Sequence, residues 1–171
     1  MSVGEKMLDL LFPPKCPFCQ KILDNPRAPL CRSCHPKLPW LEGKAGERKI
    51  DFTDGCFSPL AYRDLVPEAI QRYKFSRVKA LGRPFAALMA RCLDSQRLEG
   101  VDLICWAPLS KKRRRERGFD QAELLAREVG RLLSIPAAPV LLKTRNTAPQ
   151  SGLEDEYARR ANARGVYRLA T

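Results

Sequence analysis

Two cysteine pairs, Cys16-Pro17-Phe18-Cys19 and Cys31-Arg32-Ser33-Cys34, specify chemistry most directly in this chain. A Cys-x-x-Cys turn presents two sulfurs from one tight knuckle, and two knuckles supply the four soft ligands of a tetrahedral zinc ion. Four closed sulfur positions leave no place for water. A zinc held by Cys16, Cys19, Cys31 and Cys34 is therefore structural. The competing assignment is a redox dithiol with stray cysteines. It fits less well, because thioredoxin-like motifs carry one pair within a βαβ setting. His35 directly follows Cys34 and could replace it as the fourth ligand, although adjacent positions rarely share one geometry. Cys56, Cys92 and Cys105 fall on apolar segments, where buried structural thiols are expected rather than nucleophiles.

The second constellation is cationic. Ser110-Lys111-Lys112-Arg113-Arg114-Arg115-Glu116-Arg117 contains six cations and one acid and leads to Gly118. Before it, Val101 to Leu109 is an apolar run ended by Pro108, which reads as a buried strand reaching its carboxyl end. After it, Ala122, Leu125, Ala126, Val129, Leu132 and Leu133 recur at helical spacing. Asp120 is placed to cap this helix, and Glu123 completes a capping-box-like pair. In open α/β sheets, anions collect outside the carboxyl ends of strands and near helix N-termini. A polycationic loop in that place reads as a phosphate or pyrophosphate site. Its bland alternative is a solvated surface run; the position between strand end and capped helix favours the functional one.

The elements that would position these residues follow in order. A short amphipathic helix is expected over Val3–Phe12, stopped by Pro13-Pro14. The zinc module comes next, and polar Leu41 to Asp54 reads as a linker. Gly55 to Arg63 has strand character, and helices are expected over Leu65–Phe75 and Pro84–Leu98. Beyond the cationic run come a strand at Ala137–Leu142, a polar loop Lys143–Gly152, a charged helix Leu153–Ala163 and a strand at Gly165–Leu169. Strands alternating with helices argue for an α/β fold with a parallel sheet. The expected organisation is a small four-cysteine zinc-ribbon module with linker over residues 1–50 and an α/β domain over residues 51–171. Trp40 and Trp106 are expected to pack rather than to stack on bases.

The 171 residues, 44% hydrophobic and 29% charged, suffice for one ordinary domain plus a small module. Thirty-one Lys and Arg face 19 Asp and Glu, a formal net charge of +12. Zinc on four thiolates lowers it to about +10. The partner should be anionic: nucleic acid, a phosphorylated small molecule or, less well supported, a membrane surface. No stretch approaches the roughly 18 apolar residues of a membrane span. Glu5 and Asp9 argue against a secretory signal, and seven cysteines with two close pairs argue for reduced thiols and a cytoplasmic location.

Three motifs carry a resemblance. They are Leu11-Phe12-Pro13-Pro14-Lys15-Cys16-Pro17-Phe18-Cys19 with the second knuckle; Pro108-Leu109 with Arg114 and Arg117-Gly118-Phe119-Asp120-Gln121-Ala122; and Thr147-Ala148-Pro149-Gln150-Ser151-Gly152-Leu153 with Arg159, Arg160, Asn162 and Gly165. In this order, over nearly the whole chain, they resemble the ComF family, bacterial competence-associated proteins with an N-terminal zinc module and a type I phosphoribosyltransferase-like domain. The resemblance implies a site for phosphoribosyl pyrophosphate, with Ser110, Lys111, Arg114, Arg117 and Gly118 holding pyrophosphate. It implies a flap over Lys143–Gly152, carrying Thr147 and Gln150 and joined by Arg159 and Arg160. Mg²⁺ would bridge the pyrophosphate oxygens as the leaving group departs from an oxocarbenium-like ribose. Competence proteins and single-stranded DNA are the macromolecular partners it implies.

One departure stands out. Type I phosphoribosyltransferases continue into an apolar strand that ends in two acidic residues and a Thr/Gly-rich turn for the ribose 5-phosphate. Here Glu154-Asp155-Glu156 follows a loop, and the sequence stops at Thr171, about where that strand should begin. The expectation is a C-terminally incomplete phosphoribosyltransferase-like domain, inactive by itself, with no catalytic residue assignable. The alternative is a non-enzymatic, zinc-dependent single-stranded DNA-binding protein.

Overall fold

The computed structural model describes residues 12–93, 97–148, 150–152 and 154–170. The helix expected over Val3–Phe12 lies outside them except for Phe12. Two compact units divide the chain, Met1–Gly100 and Val101–Thr171.

In the first unit the two knuckles are followed by a tight turn at His35–Lys37 and another at Gly43–Gly46. Strand β1 (Glu47–Arg48) then pairs antiparallel with β2 (Cys56–Phe57), in the register Glu47↔Phe57 and Arg48↔Cys56. A bridge between Trp40 and Leu60 continues the pairing, with Leu41 N–H donating to Pro59 O at 3.0 Å and Ala61 N–H to Pro39 O at 2.9 Å. The polar stretch expected to be a linker is thus one side of a ladder. Gly46 makes the close approach possible: a Cβ there would stand 2.7 Å from the Ser58 carbonyl oxygen.

Helix α1 (Val66–Phe75) starts with Pro67 in its first turn, where no N–H is needed, and buries Val66, Ala69 and Tyr73 at helical spacing. Helix α2 (Gly82–Ala90) buries Phe85, Ala86 and Leu88. It ends short of Leu98, because N–H groups three residues on already take the Met89 and Ala90 carbonyls. Tyr73 and Phe85 have ring centroids 5.4 Å apart, and Phe18 of the first knuckle meets Phe85 edge-on at 6.3 Å. Such pairs contribute about 0.5–1.5 kcal/mol each beyond the area they bury. Helix α1, expected to belong with the later domain, packs on the metal-binding knuckle through this cluster.

In the second unit, Val101–Leu109 pairs at Ile104, in a parallel bridge to Ala137, with Ile104 N–H on Pro136 O at 2.9 Å and Ala138 N–H on Ile104 O at 3.1 Å. Helices α3 (Lys111–Arg117) and α4 (Gln121–Leu133) lie between the two partners in sequence. Strand β3 (Leu141–Lys143) and strand β4 (Tyr167–Leu169) are antiparallel, in the register Leu141↔Leu169 to Lys143↔Tyr167. Helix α5 (Glu156–Ala163) connects them.

Three expectations change here. The anticipated loop of cations is helix α3, begun by Ser110 and closed by Gly118 at φ +80°. Lys, Arg and Glu are good helix formers, and the cap and the left-handed glycine suffice to start and stop the turns. The anticipated parallel sheet is, among the described residues, two antiparallel two-stranded pairs and one parallel bridge. Pro136 lacks the N–H that would extend the parallel ladder on one side, and on the other the Val140 N–H is taken by Ala138 O at 3.1 Å. The chain also turns back at Gly165, φ +65°, to lay β4 antiparallel to β3. Finally, Cys56 and Cys92 are half-buried and Cys105 is exposed rather than buried, because the Val101 segment, expected as a buried strand, pairs at Ile104 alone and buries Trp106 while Val101 and Leu103 stay exposed. No helix among the described residues is long and apolar enough to cross a membrane.

Gly130 lies inside α4, where alanine would ordinarily be favoured by about 1 kcal/mol. A Cβ at this position would stand 2.6 Å from the Ile135 carbonyl and 3.3 Å from the Ala137 Cβ. The clash with fixed backbone should outweigh propensity, so Gly130→Ala is expected to destabilise by about 1–3 kcal/mol. A urea melt followed by helical circular dichroism checks the sign; a more stable variant would contradict this packing.

Candidate metal centre and anion-binding surface

The first knuckle is closed by Cys16 N–H on Lys21 O at 2.8 Å and Gln20 N–H on Cys16 O at 3.0 Å, with Gln20 at φ +64°. Lys15 and Ile22 bridge beneath it. In the second knuckle the N–H groups of Cys34 and His35 both donate to Cys31 O, at 3.2 and 3.3 Å. These turns bring the sulfurs of Cys16, Cys19, Cys31 and Cys34 within 4.8 Å of one another, with Cys19 and Cys31 at 3.6 Å. A Zn–S bond of about 2.3 Å places tetrahedral sulfurs ~3.8 Å apart. The geometry fits zinc. His35 does not replace Cys34: its ring packs on Trp40 at 4.9 Å, and Trp40 Nε1–H donates to its carbonyl at 2.7 Å.

The protonation states tell the same story. Burial, then the thiols of Cys19 and Cys31, push Cys34 far up, and burial also raises Cys19. Burial raises Cys31 too, but the Cys34 N–H and the surrounding thiols outweigh it and bring Cys31 down to about 7. Without a cation, Cys31 therefore gives up its proton more readily than a free thiol, and Cys19 and Cys34 less readily. A divalent ion stabilises all four thiolates, so metal binding and proton release are one event.

In the second unit, Ser110 is buried and its Oγ accepts from Arg113 N–H at 3.3 Å, capping α3. Asp120 is 4% exposed. Its Oδ2 accepts from Leu109 N–H at 2.7 Å, and its Oδ1 from Ala122 and Glu123 N–H at 3.1 and 3.3 Å. One carboxylate thereby ties the end of the Val101 segment to the start of α4. Because it satisfies those N–H groups itself, the N-terminus of α4 is not the anion site. Glu123, instead of completing the capping box, pairs with Arg114 at 3.3 Å and Arg127 at 3.0 Å.

Lys111, Arg114, Arg115 and Gly118 line an open cavity of about 520 Å³. Arg117 is not among its lining residues, and its Nη1 donates to Gln121 Oε1 at 3.0 Å. Burial first and Arg113 second lower the Arg117 pKa. Lys143 is lowered by burial, then by Arg113 and Arg145. Its Nζ donates to Thr147 Oγ1 at 3.0 Å and lies 5.7 Å from the Tyr167 ring. Arg113, Arg117, Lys143 and Arg145 thus form a field of like charge that an anion would relieve.

A double zinc ribbon domain matches residues 7–48. Over 162 residues the chain is 28% identical to competence protein F of Haemophilus influenzae, covering 91% of this chain and 69% of that protein. Both findings are consistent with a ComF-family protein. The resemblance to the ComF family read from the three motifs agrees with them. No solved structure matches the chain.

Of the pyrophosphate residues expected from the ComF resemblance, Lys111, Arg114 and Gly118 are brought together at the cavity, Ser110 serves as the cap of α3, and Arg117 sits apart on Gln121. Within the expected flap, Gln150 Nε2 donates to Arg159 O at 3.3 Å, Thr147 accepts from Lys143, and Arg160 is held on its own helix by Glu156 at 2.7 Å. Pro149 and Leu153 of that motif lie outside the described residues. Arg113 and Arg115 lie within the expected cationic run and Lys143 and Arg145 within the expected flap, without having been singled out there. Only the density of cations around them pointed to them.

Metal analysis of protein purified without chelators should return about one zinc per chain, and Cys16→Ser, which removes the most buried ligand, should return far less with loss of ordered structure in the first unit. Metal-free protein with an intact first unit would contradict the assignment.

Proposed function

We propose that this chain is a ComF-type, phosphoribosyltransferase-like protein of bacterial DNA uptake, whose cationic surface on α3 and at the base of the β3–β4 pair holds a pyrophosphate-bearing ligand, phosphoribosyl pyrophosphate foremost. The observation that carries this is the crowding of Arg113, Arg117, Lys143 and Arg145, in which burial and like charge depress Arg117 and Lys143. Two or more negative charges on one small ligand relieve that field far better than dilute salt. Likeness to a protein named for competence supports the biological setting. The segment from Ile104 through α3 and α4 to Ala137, two parallel-bridged residues joined by helices, supports a crossover of the kind that parallel sheets use.

Mg²⁺ in such a site arrives on the ligand. Among the described residues the clustered metal-ligating groups are the four cysteines, with no acidic cluster near α3. When bound, the ion adds neutralisation at the pyrophosphate oxygens. The chain's own part is to hold the pyrophosphate with Lys111 and Arg114 at the cavity, while Arg117 and Lys143 add positive field from outside its lining.

A second reading has its own observation. Trp40 packs on the His35 ring at 4.9 Å and has the Arg91 guanidinium 4.8 Å from its centroid, and an open cavity of about 370 Å³ is lined by Arg32, His35 and Arg91. Cations beside a partly exposed aromatic suit single-stranded DNA. Affinity for DNA should then fall steeply with added salt.

Pyrophosphate titration separates the primary reading from nonspecific charge. At a hundredfold excess over Kd, specific binding stabilises by roughly 2.7 kcal/mol. The double replacement Arg114→Ala with Arg117→Ala should remove most of the thermal shift that pyrophosphate produces in the wild type. An undiminished shift in that variant would place the anion elsewhere.

A further inference from the structure

The zinc-ribbon match ends at residue 48, yet one side chain from beyond it reaches the first knuckle. Arg72, on α1, donates from Nη2 to the carbonyls of Pro17 at 2.9 Å and Phe18 at 3.1 Å. Its other terminal nitrogen, Nη1, is held by Glu68 at 2.6 Å, one turn earlier on the helix. The Arg72 side chain is only 20% exposed, and its Nε is buried without a hydrogen-bond partner among the described residues. A solvated surface arginine would not leave a donor in that state. The placement is imposed by the knuckle, not by the helix.

Pro17 and Phe18 are the two residues between the ligands Cys16 and Cys19. Their carbonyls belong to the peptide planes 17–18 and 18–19. In a planar trans peptide the N–H points opposite to the C=O. Fixing both oxygens on one guanidinium therefore fixes the direction of the Phe18 and Cys19 N–H groups, and with them the path of the chain between the two sulfurs. The same guanidinium brings a permanent positive charge to a site that must collect four thiolates. Gln20 Nε2 also donates to the Cys16 and Pro17 carbonyls, at 3.1 and 3.4 Å, so the turn is held from its own loop and from α1 together. The Phe18 ring, 4% exposed and edge-on to Phe85, adds an apolar tie on the same stretch.

We propose that Arg72 is an outer-sphere positioning residue of the zinc centre, clamping the Cys16–Cys19 knuckle from α1 so that metal retention and the docking of that helix depend on each other. Outer-sphere partners of metal ligands commonly change affinity by ten- to a hundredfold when removed. Arg72→Met keeps the length of the side chain and deletes both donors and the charge. Arg72→Lys keeps the charge and one donating nitrogen but lacks the second terminal nitrogen through which Glu68 holds the side chain on the carbonyls.

The test uses the full-length, zinc-loaded protein and measures the rate at which a chromogenic chelator captures the metal. Arg72→Met is expected to release zinc at least tenfold faster than wild type, with Arg72→Lys in between. Ala69→Gly, which weakens α1 at a buried position and leaves the Arg72 side chain in place, should stay within about twofold of wild type when compared at equal distance below its melting temperature. Cobalt-loaded Arg72→Lys should keep the absorption of a tetrahedral four-thiolate site, showing that the ligands themselves are unchanged. Release from Arg72→Met at the wild-type rate would overturn the proposal. So would equal acceleration by Ala69→Gly, because Arg72 would then act only through helix stability. If Arg72→Met cannot be recovered folded, Arg72→Lys against Ala69→Gly decides by the same criterion.

Discussion

Four sulfurs within 4.8 Å of one another cannot all carry negative charge without a cation between them, and the first unit is built around that constraint. The knuckles are short, rich in proline and poor in apolar side chains, so they cannot hold their shape by burial. What they can do is present ligands and, on their outer side, the Phe18 ring and the Pro17 and Phe18 carbonyls. Helices α1 and α2 use those three features, through Phe85 and Arg72, as their packing surface. A metal that sets the course of the knuckle therefore sets the seat of the helices.

The second unit depends on a charge of the other kind. Asp120, almost fully buried, accepts three backbone N–H groups from both sides of the α3 segment. Those bonds suit a carboxylate and hold the two ends of a strongly cationic helix together. With that N-terminus satisfied internally, the positive field is left to side chains. Arg114 is partly neutralised by Glu123, whereas Arg117 and Lys143 have their pKa values depressed by burial and by neighbouring arginines.

Much of this could be read from residues alone where the determining contacts are close in sequence. The Cys-x-x-Cys spacing is a local geometry, and all four ligands were legible in it. Asp120 as a cap and the apolar face of α1 were legible for the same reason, since each lies within one or two turns of its partners. Helix α3 was not. Six like charges suggested an open loop, yet Ser110, Gly118 and the high helix propensity of Lys and Arg argued the opposite and prevailed. The clamp from Arg72 to Pro17 spans 55 positions and leaves no periodic trace. The antiparallel return of β4 depends on Gly165, and the parallel ladder stops at Pro136 and Val140, so an alternation of strands and helices overstated the parallel sheet.

Hydrogen exchange on the zinc-loaded and metal-stripped chain tests the central claim most directly, that the metal centre organises α1 and α2 as well as the knuckles. Removing zinc should abolish protection across Val66–Phe75 and Gly82–Ala90 along with the knuckles, and adding zinc back should restore it. Protection of α1 and α2 that survives without metal would contradict the account, because those helices would then be held by their own packing alone.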